Sequence, residues 1–214
     1  MSGPAKKVWL ANMERKAPEA AELWDAITEL QLEHWELQWR PELFKALERL
    51  KQAGIPRKAW PQSRHWDWRA KAQAFEGMLA LPGYSVMCAG VTQGLMILDV
   101  ASQRCRIESQ RGKDLVYVKF VENAPWNRAE LLYDPPRYRG VGSILIRAAI
   151  ERSLREGFKG RVGLHALPQS DDFYGKTCGM TDMGNDPDPE FQGMRYFEMT
   201  FEQSEVFIAK GKRP

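Results

Sequence analysis

The sequence has little of what disulfide-stabilised or metal-binding proteins need. Its 214 residues include three cysteines, which are far apart and form no Cys-x-x-Cys pair. The three histidines, His34, His65 and His165, show no metal-ligand spacing to one another or to a cysteine. These absences argue against a disulfide framework and a zinc site, and we expect no bound metal.

Long apolar runs and an excess of one charge are also missing. No stretch approaches the roughly 18 to 20 apolar residues that a membrane-spanning helix needs. Residues 1–11 lack the basic and apolar regions of a secretory signal. We therefore expect a cytoplasmic protein without a membrane partner. A net charge of +3 falls short of the basic footprint of a dedicated nucleic-acid binder.

Hydrophobic periodicity divides the chain into a helical part and a strand-rich part. It predicts helices from Pro18 to about Ala53, interrupted at Pro41, and from near His65 to Leu81. Short β-rich runs follow, at 84–89, 94–100, 104–108 and 115–122, and then a helix at 142–156, a strand at 161–166, a short helix at 171–177 and a strand at 194–201. We predict an N-terminal helical region, 1–81, packed on a core, 82–214.

A glycine-containing loop stands directly before the strongly amphipathic helix of that core. It reads Arg137-Tyr138-Arg139-Gly140-Val141-Gly142-Ser143. The two glycines let backbone N–H groups converge on a ligand, and the helix N-terminus adds unpaired donors and a favourable dipole for phosphate oxygens. The two arginines can add charge-assisted hydrogen bonds. The loop therefore indicates a pyrophosphate site.

Two common phosphate-binding architectures do not fit this loop. A dinucleotide-binding Rossmann unit places Gly-x-Gly-x-x-Gly in an early βαβ unit, whereas this loop follows an antiparallel meander and lacks the third glycine. A P-loop would end in Gly-Lys-Ser/Thr, which is absent. The interpretation that remains is a phosphate-bearing cofactor bound by a mixed sheet.

These residues resemble the GNAT superfamily of acyl-CoA-dependent N-acyltransferases. Arg137-x-x-Gly140-x-Gly142 matches the family's Gln/Arg-x-x-Gly-x-Gly/Ala signature, and the segment 173–180 is similar to its Phe-Tyr-x-Lys-x-Gly-Phe segment with one extra residue. The resemblance implies a mixed, mostly antiparallel central sheet flanked by helices, of the α/β (α+β) class. It also implies acetyl-CoA as co-substrate, with its pyrophosphate held by all seven residues of the loop.

The resemblance assigns roles to further residues. Tyr174 would be the general acid that protonates the leaving thiolate, and Glu122, at the end of a strand, would be the base, with Glu108, His165, Asp171 and Asp172 as competitors. Backbone N–H groups of the strand ending at Val121 would hold the pantetheine arm and polarise the carbonyl.

The sequence also departs from the family pattern. Leu167-Pro168 stands where an asparagine often contacts the cofactor, and the loop before the phosphate motif is longer than usual. Trp126 and Asn127, at the entrance of that loop, are therefore candidates for contacts with the substrate.

Three functions stay open at this stage. The first is acetylation of a primary amine of unknown identity, whether a small molecule, a protein or an aminoacyl-tRNA; the oligomeric state is also open. The second is a catalytically silent module of the same fold that binds acyl-CoA or scaffolds a partner. The third, a nucleic-acid-binding protein, ranks last because acidic residues such as Glu33, Glu42 and Asp67 interrupt its basic ones.

Overall fold

The computed structural model describes residues 6–132 and 135–210. The described residues form two compact units. The first contains the residues up to Met78, Pro82–Met96 and Val121–Leu145. The second contains Leu79–Leu81, Ile97–Phe120 and the residues from Ile146 onward. The division into 1–81 and 82–214 stays a prediction, and the compact units do not follow it.

The first unit opens with a β-hairpin and continues with helices. Strand β1 (Lys6–Asn12) pairs antiparallel with β2 (Ala17–Trp24), and β2 pairs antiparallel with β3 (Gly83–Cys88). Helices α1 (Glu29–His34) and α2 (Arg40–Gln52) are joined by a π-helical turn, Trp35–Trp39, and α3 is Trp68–Ala74. Strand β4 (Val91–Asp99) begins in this unit, next to β3.

The helix predicted from Pro18 is therefore wrong over its first part. Ala17–Trp24 is rich in Ala and Glu, which favour helices, yet it forms a strand between two partners. Its side chains alternate between exposed and buried toward its end, with Ala21 and Leu23 inside. The second predicted helix is confirmed as α2, with Pro41 in its first turn. The third predicted helix, from near His65 to Leu81, is observed as the shorter α3, Trp68–Ala74.

The second unit contains the remaining sheet and the C-terminal helix. Its strands lie in the order β5 (Val116–Asn123, which ends in the first unit), β7 (Val162–Ala166), β9 (Arg195–Met199) and β8 (Thr181–Asn185). The pairing of β5 with β7 is parallel and the other two pairings are antiparallel. Helix α5 (Phe201–Lys210) follows β9. The predicted mixed, mostly antiparallel sheet flanked by helices is confirmed.

Two details of the second unit differ from the predictions. Residues 104–108 are not a strand: Arg104 forms an isolated bridge with Asp114, and a 3₁₀ turn follows at Glu108–Gln110. The carboxylate of buried Glu198 accepts hydrogen bonds from the backbone N–H groups of Arg106 and Ile107. This segment is thus held by a side chain instead of by strand pairing. The short helix at 171–177 is a π-helical turn, Phe173–Thr177.

The parallel strands β5 and β7 pair over only part of their length. Their register runs from Val116 opposite Val162 to Val118 opposite Leu164, and both strands continue beyond it. The pairing of β5 with β7 therefore ends at Val118 and Leu164, before either strand ends.

The long helix α4 (Val141–Arg155) starts directly after β6 (Tyr138–Arg139), which pairs with β1. Its first turn packs closely on β4. A Cβ atom on Gly94 would lie 2.5 Å from Cγ1 of Val141 and 3.0 Å from Cδ1 of Leu145. Gly94 is therefore what allows the beginning of this helix to sit directly on the strand.

All three cysteines, Cys88, Cys105 and Cys178, are buried and unbonded to one another. Burial raises the pKa of the Cys105 thiol to about 11 and that of Cys178 to about 12. Within residues 6–132 and 135–210, no group of three or more His, Cys, Asp or Glu is arranged to hold a metal ion. None of the helices described there is long and apolar enough to cross a membrane.

Candidate functional site

The predicted phosphate loop, residues 137–143, lies in the first unit and comprises β6, Gly140 and the start of α4. Gly140 links the two elements with φ of +100°, a conformation that side chains rarely allow. Its carbonyl accepts the first helical hydrogen bond, from the N–H of Ile144 at 3.0 Å. The N–H groups of residues 141–143 have no acceptor among the described residues. Three backbone donors therefore face away from the helix at its positive end.

The side chains of this loop divide into exposed and buried ones. Arg137 and Arg139 are exposed, whereas Tyr138 and Val141 are buried. The Tyr138 hydroxyl donates to Glu19 at 3.4 Å, so its ring is turned into the fold. Tyr138 and Val141 can thus offer a ligand only their backbone. The arginines can offer charge.

The structure gives Trp126 and Asn127 a role within the fold. Both donate a hydrogen bond to Oε1 of buried Gln93 on β4, from Trp126 Nε1 and Asn127 Nδ2, each at 2.9 Å. Asn127 Oδ1 also accepts the N–H of Tyr138 at 2.9 Å. Together they fix the inserted loop to β4 and to the phosphate loop. Their contact with a substrate stays a prediction.

Glu122, the predicted base, is 9% exposed and already has two partners. Its Oε2 accepts the indole N–H of Trp68 at 2.7 Å, and its Oε1 accepts Nη1 of Arg128 at 2.8 Å. Arg128 also donates to Ser63 Oγ at 3.1 Å and to Glu130 Oε1 at 2.8 Å. Glu122 is therefore rigidly oriented, and each of its oxygens keeps a lone pair for one more donor.

These partners of Glu122 were not predicted from the sequence. Arg128 belongs to the inserted loop, and Ser63 and Trp68 belong to the segment around α3. Only one local signal existed, Asp67 before an amphipathic stretch, and Asp67 indeed caps α3 by accepting the N–H of Ala70 at 2.9 Å. The contacts of Trp68 with Glu122 and of Ser63 with Arg128 join segments more than fifty residues apart and have no local signature, whereas Arg128 lies six residues from Glu122.

A cavity of about 220 Å³ opens over Glu122, within the first unit. Aromatic rings make up much of its wall, from Trp35, Trp39, Phe44 and Trp66. Polar and charged residues also line it: Arg40, Ser63, Arg64, His65, Asp67, Glu122, Asn123 and Arg128. The cavity therefore offers flat apolar surfaces beside an oriented carboxylate, which is an arrangement suited to an amine that carries an apolar group.

Tyr174, the predicted acid, lies in the second unit, on the π-helical turn. Tyr174 is 6% exposed, and its ring packs against Phe173 and Phe197 at centroid distances of 5.1 and 5.9 Å. Burial raises the pKa of its phenol. The hydroxyl therefore stays protonated at neutral pH and can act only as a proton donor.

The competing candidates for the base have other partners or full exposure. The side chains of Glu108 and Asp172 are more than 80% exposed and pair with Arg111 and Lys176. Asp171, whose pKa burial raises, lies with its Oδ2 4.0 Å from Nε of Arg195, and its buried Oδ1 has no hydrogen-bond partner among the described residues.

His165 belongs to a buried chain of polar groups in the second unit. Its Nδ1 is 2.8 Å from the Tyr117 hydroxyl, and its Nε2 is 2.8 Å from Oδ2 of Asp186. Because a carboxylate can only accept, Nε2 carries the proton and Nδ1 accepts from the phenol. Phe191 stacks on the ring with centroids 3.6 Å apart. With 1% of its side chain exposed, His165 is enclosed by its own fold.

The sequence matches no protein-family model and no curated protein at significant similarity. Solved structures do match. The GNAT domain of PAT from S. lividans has a TM-score of 0.52 at 14% identity, over 92% of this chain and 98% of that chain. A putative arylalkylamine N-acetyltransferase 7 from the yellow fever mosquito has a TM-score of 0.53 at 13% identity, over 93% and 95%.

A third similar structure is the aminoglycoside acetyltransferase AAC(6')-Ib in complex with coenzyme A and kanamycin. Its TM-score is 0.50 at 17% identity, over 87% of this chain and 98% of that chain. All three resemblances extend over nearly the whole of the known chains. At these identities they show the fold, and the chain has the fold of the GNAT acetyltransferases.

Proposed function

We propose that this chain, built on the GNAT fold, transfers an acetyl group from acetyl-CoA to a primary amine. The observation that carries the proposal is the start of α4. Three backbone N–H groups without acceptors among the described residues follow a glycine at φ +100°. Two exposed arginines stand beside them. This is a concentration of donors and positive charge for which a pyrophosphate is the natural ligand.

The fit of coenzyme A to these residues rests on this chain's own geometry. Gly94 lets the helix N-terminus lie against β4, and Gly142 is half-buried in the first turn of that helix. Arg137, Arg139 and the N–H groups of residues 141–143 would hold the pyrophosphate. The pantetheine arm would lie along the β5 backbone beyond Val118, toward Val121, where the pairing with β7 has ended.

The reaction converts an ammonium and a thioester into an amide, a thiol and one released proton. The amine must lose a proton before its nitrogen attacks the carbonyl carbon, and the carbon–sulfur bond then breaks. Glu122, fixed by Trp68 and Arg128, would accept the ammonium proton directly or through water. Tyr174 would give its proton to the thiolate as the carbon–sulfur bond breaks.

Calorimetric titration of the purified protein with acetyl-CoA tests the proposal. We expect saturable binding of acetyl-CoA, and no binding of NADH or ATP at the same concentrations. Gly142→Glu places a carboxylate over the three N–H donors, so this variant should lose acetyl-CoA binding. Gln73→Glu adds the same charge on the exposed side of α3 and should bind normally. Undiminished binding by Gly142→Glu would show that the loop is not the phosphate site.

A catalytically silent module of the same fold is the alternative. The oriented carboxylate of Glu122 beside the cavity favours the enzyme, because a binding module does not need it. One measurement distinguishes the enzyme from the silent module. Release of free coenzyme A in the presence of a panel of primary amines supports the enzyme, whereas tight acetyl-CoA binding without turnover of any amine supports the module.

A further inference from the structure

The cavity over Glu122 is small. Its volume of about 220 Å³ lies below the roughly 300–1,000 Å³ that is typical for drug-sized ligands. Such a space suits a molecule of one or two rings. It is too small to enclose an oligosaccharide, so the acceptor that fits inside it is a small amine.

The ion-pair cluster that contains Glu122 is negative. Arg128 is shared between two carboxylates, those of Glu122 and Glu130, which leaves this buried group with a formal charge of −1. Glu122 and Arg128 are each only 7% exposed in their side chains, so water screens this charge weakly. A single ammonium group placed against Glu122 would neutralise the cluster.

The walls favour a flat apolar body over a polycation. Trp35 and Trp39 are 5% and 2% exposed and present indole surface to the cavity. The Arg40 guanidinium already lies over the Trp35 ring, 5.4 Å from its centroid. A second positive group in this position would be repelled. An aromatic ring can instead stack with the indoles and the guanidinium.

A further positive group stands at the edge of the cavity. Arg64 lines it and is exposed; its side chain donates to the carbonyl oxygen of Pro61 at 3.1 Å. No carboxylate among the described residues forms an ion pair with Arg64. Arg64 follows Ser63, whose hydroxyl accepts from Arg128, and both Arg64 and Glu122 line the cavity.

From these groups we infer that the acceptor is an aromatic α-amino acid. Its ammonium would bind to Glu122, its ring would lie among the tryptophans, and its carboxylate would bind to Arg64. Only an α-amino acid carries an ammonium and a carboxylate on one carbon, and a guanidinium binds a carboxylate through two parallel hydrogen bonds. The inference rests on the proposed function, because it names the acceptor of that reaction.

L-Phenylalanine and 2-phenylethylamine form a matched pair of probes, since they differ only in the carboxylate. Binding is measured by protein tryptophan fluorescence and by calorimetry, without acetyl-CoA, and acetylation is measured separately. We expect phenylalanine to bind and to be acetylated with the higher kcat/KM. Arg64→Gln should weaken phenylalanine binding and raise its KM about tenfold or more. The values for 2-phenylethylamine should stay unchanged.

Arg15→Gln is the control variant, because it removes one positive charge from the turn between β1 and β2. It should leave both probes unaffected. Equal losses for both probes in Arg64→Gln, or acetylation of other amines but not phenylalanine, would overturn the inference while leaving the proposed reaction. Arg64-dependent binding of phenylalanine without any acetyl transfer would keep this recognition and overturn the reaction.

Discussion

At the scale of single residues, Arg128 decides how Glu122 is presented. Three of its nitrogen atoms donate to three different side chains, those of Glu122, Ser63 and Glu130. Removing a partner from a buried ion pair is costly because the remaining charge stays buried without compensation. The same contacts keep the Glu122 carboxylate in one orientation in the cavity wall.

We expect Arg128→Ala to lower the free energy of unfolding by about 3–5 kcal/mol, because Glu122 would remain buried and uncompensated. Urea denaturation at neutral pH measures this change. Glu130→Ala is the matched control: Glu130 is 33% exposed in its side chain and meets the same guanidinium, so its loss should cost about 1 kcal/mol or less. Similar losses in the two variants would contradict the importance assigned to burial.

Tyr174 gives a second prediction at this scale. Tyr174→Phe keeps the ring that packs on Phe173 and Phe197 and removes only the hydroxyl. If the phenol protonates the thiolate, kcat should fall by about 10²–10⁴, the usual contribution of a general acid, with acetyl-CoA affinity nearly unchanged. Steady-state kinetics and calorimetry on one preparation separate the two effects. Unchanged kcat would remove the tyrosine from the mechanism.

At the scale of elements, the contact between β4 and the first turn of α4 places the phosphate donors. This contact depends on the missing side chain at Gly94. We expect Gly94→Ala to lower the free energy of unfolding by about 1–3 kcal/mol, because its Cβ would lie 2.5 Å from Val141 Cγ1. Acetyl-CoA affinity should fall as well, since the helix start must move.

Gly175→Ala is the control for this substitution. A Cβ there would meet only Cε1 of Phe197, at an ordinary contact distance of 3.6 Å. Its unfolding free energy should change by less than about 1 kcal/mol. Denaturation curves for both variants and calorimetry for Gly94→Ala provide the comparison. A stable Gly94→Ala with normal affinity would show that α4 can shift without affecting the donors.

At the scale of the whole molecule, acid should destabilise the fold through His165 and Asp186. Burial lowers the pKa of His165, and the hydrogen bond to Asp186 only partly opposes this. Burial would raise the pKa of Asp186, but hydrogen bonds from Arg106, the Asp188 N–H and His165 outweigh it and lower that pKa. For both groups the unfolded chain therefore binds more protons than the folded one.

The free energy of unfolding should consequently fall as the pH drops below about 6.5, the ordinary histidine pKa, and fall further below about 4, the ordinary aspartate pKa. Chemical denaturation at a series of pH values measures both steps. Asp186→Asn should be less stable at neutral pH and should show a smaller second step, because Asp99 and Asp182, whose pKa values are also lowered, still contribute to it. A stability that stayed constant from pH 7 to pH 5 would contradict the neutral state assigned to His165.

The same scale shows what the sequence could predict. The helix predicted at 142–156 is confirmed as Val141–Arg155, because hydrophobic periodicity acts over a few neighbouring residues. The pyrophosphate site at its start stays a prediction. Strand β2 was missed because its alanines and glutamates favour a helix, and only pairing with two other strands overrides that preference. Trp68 and Ser63 were missed because they lie more than fifty residues from the groups they contact, Glu122 and Arg128. Arg128 was missed because its ion pair with Glu122 spans six residues of irregular loop, which no periodic pattern marks.

The buried cysteines have a practical consequence for the laboratory. Thiol-reactive dyes attack thiolates, and in the folded protein all three thiols are buried and have raised pKa values. A colorimetric thiol reagent added to the working enzyme would therefore react with the coenzyme A that turnover liberates and leave the protein unmodified. Progress curves can be recorded continuously with such a reagent, and a slow protein-derived signal would report unfolding in the same cuvette.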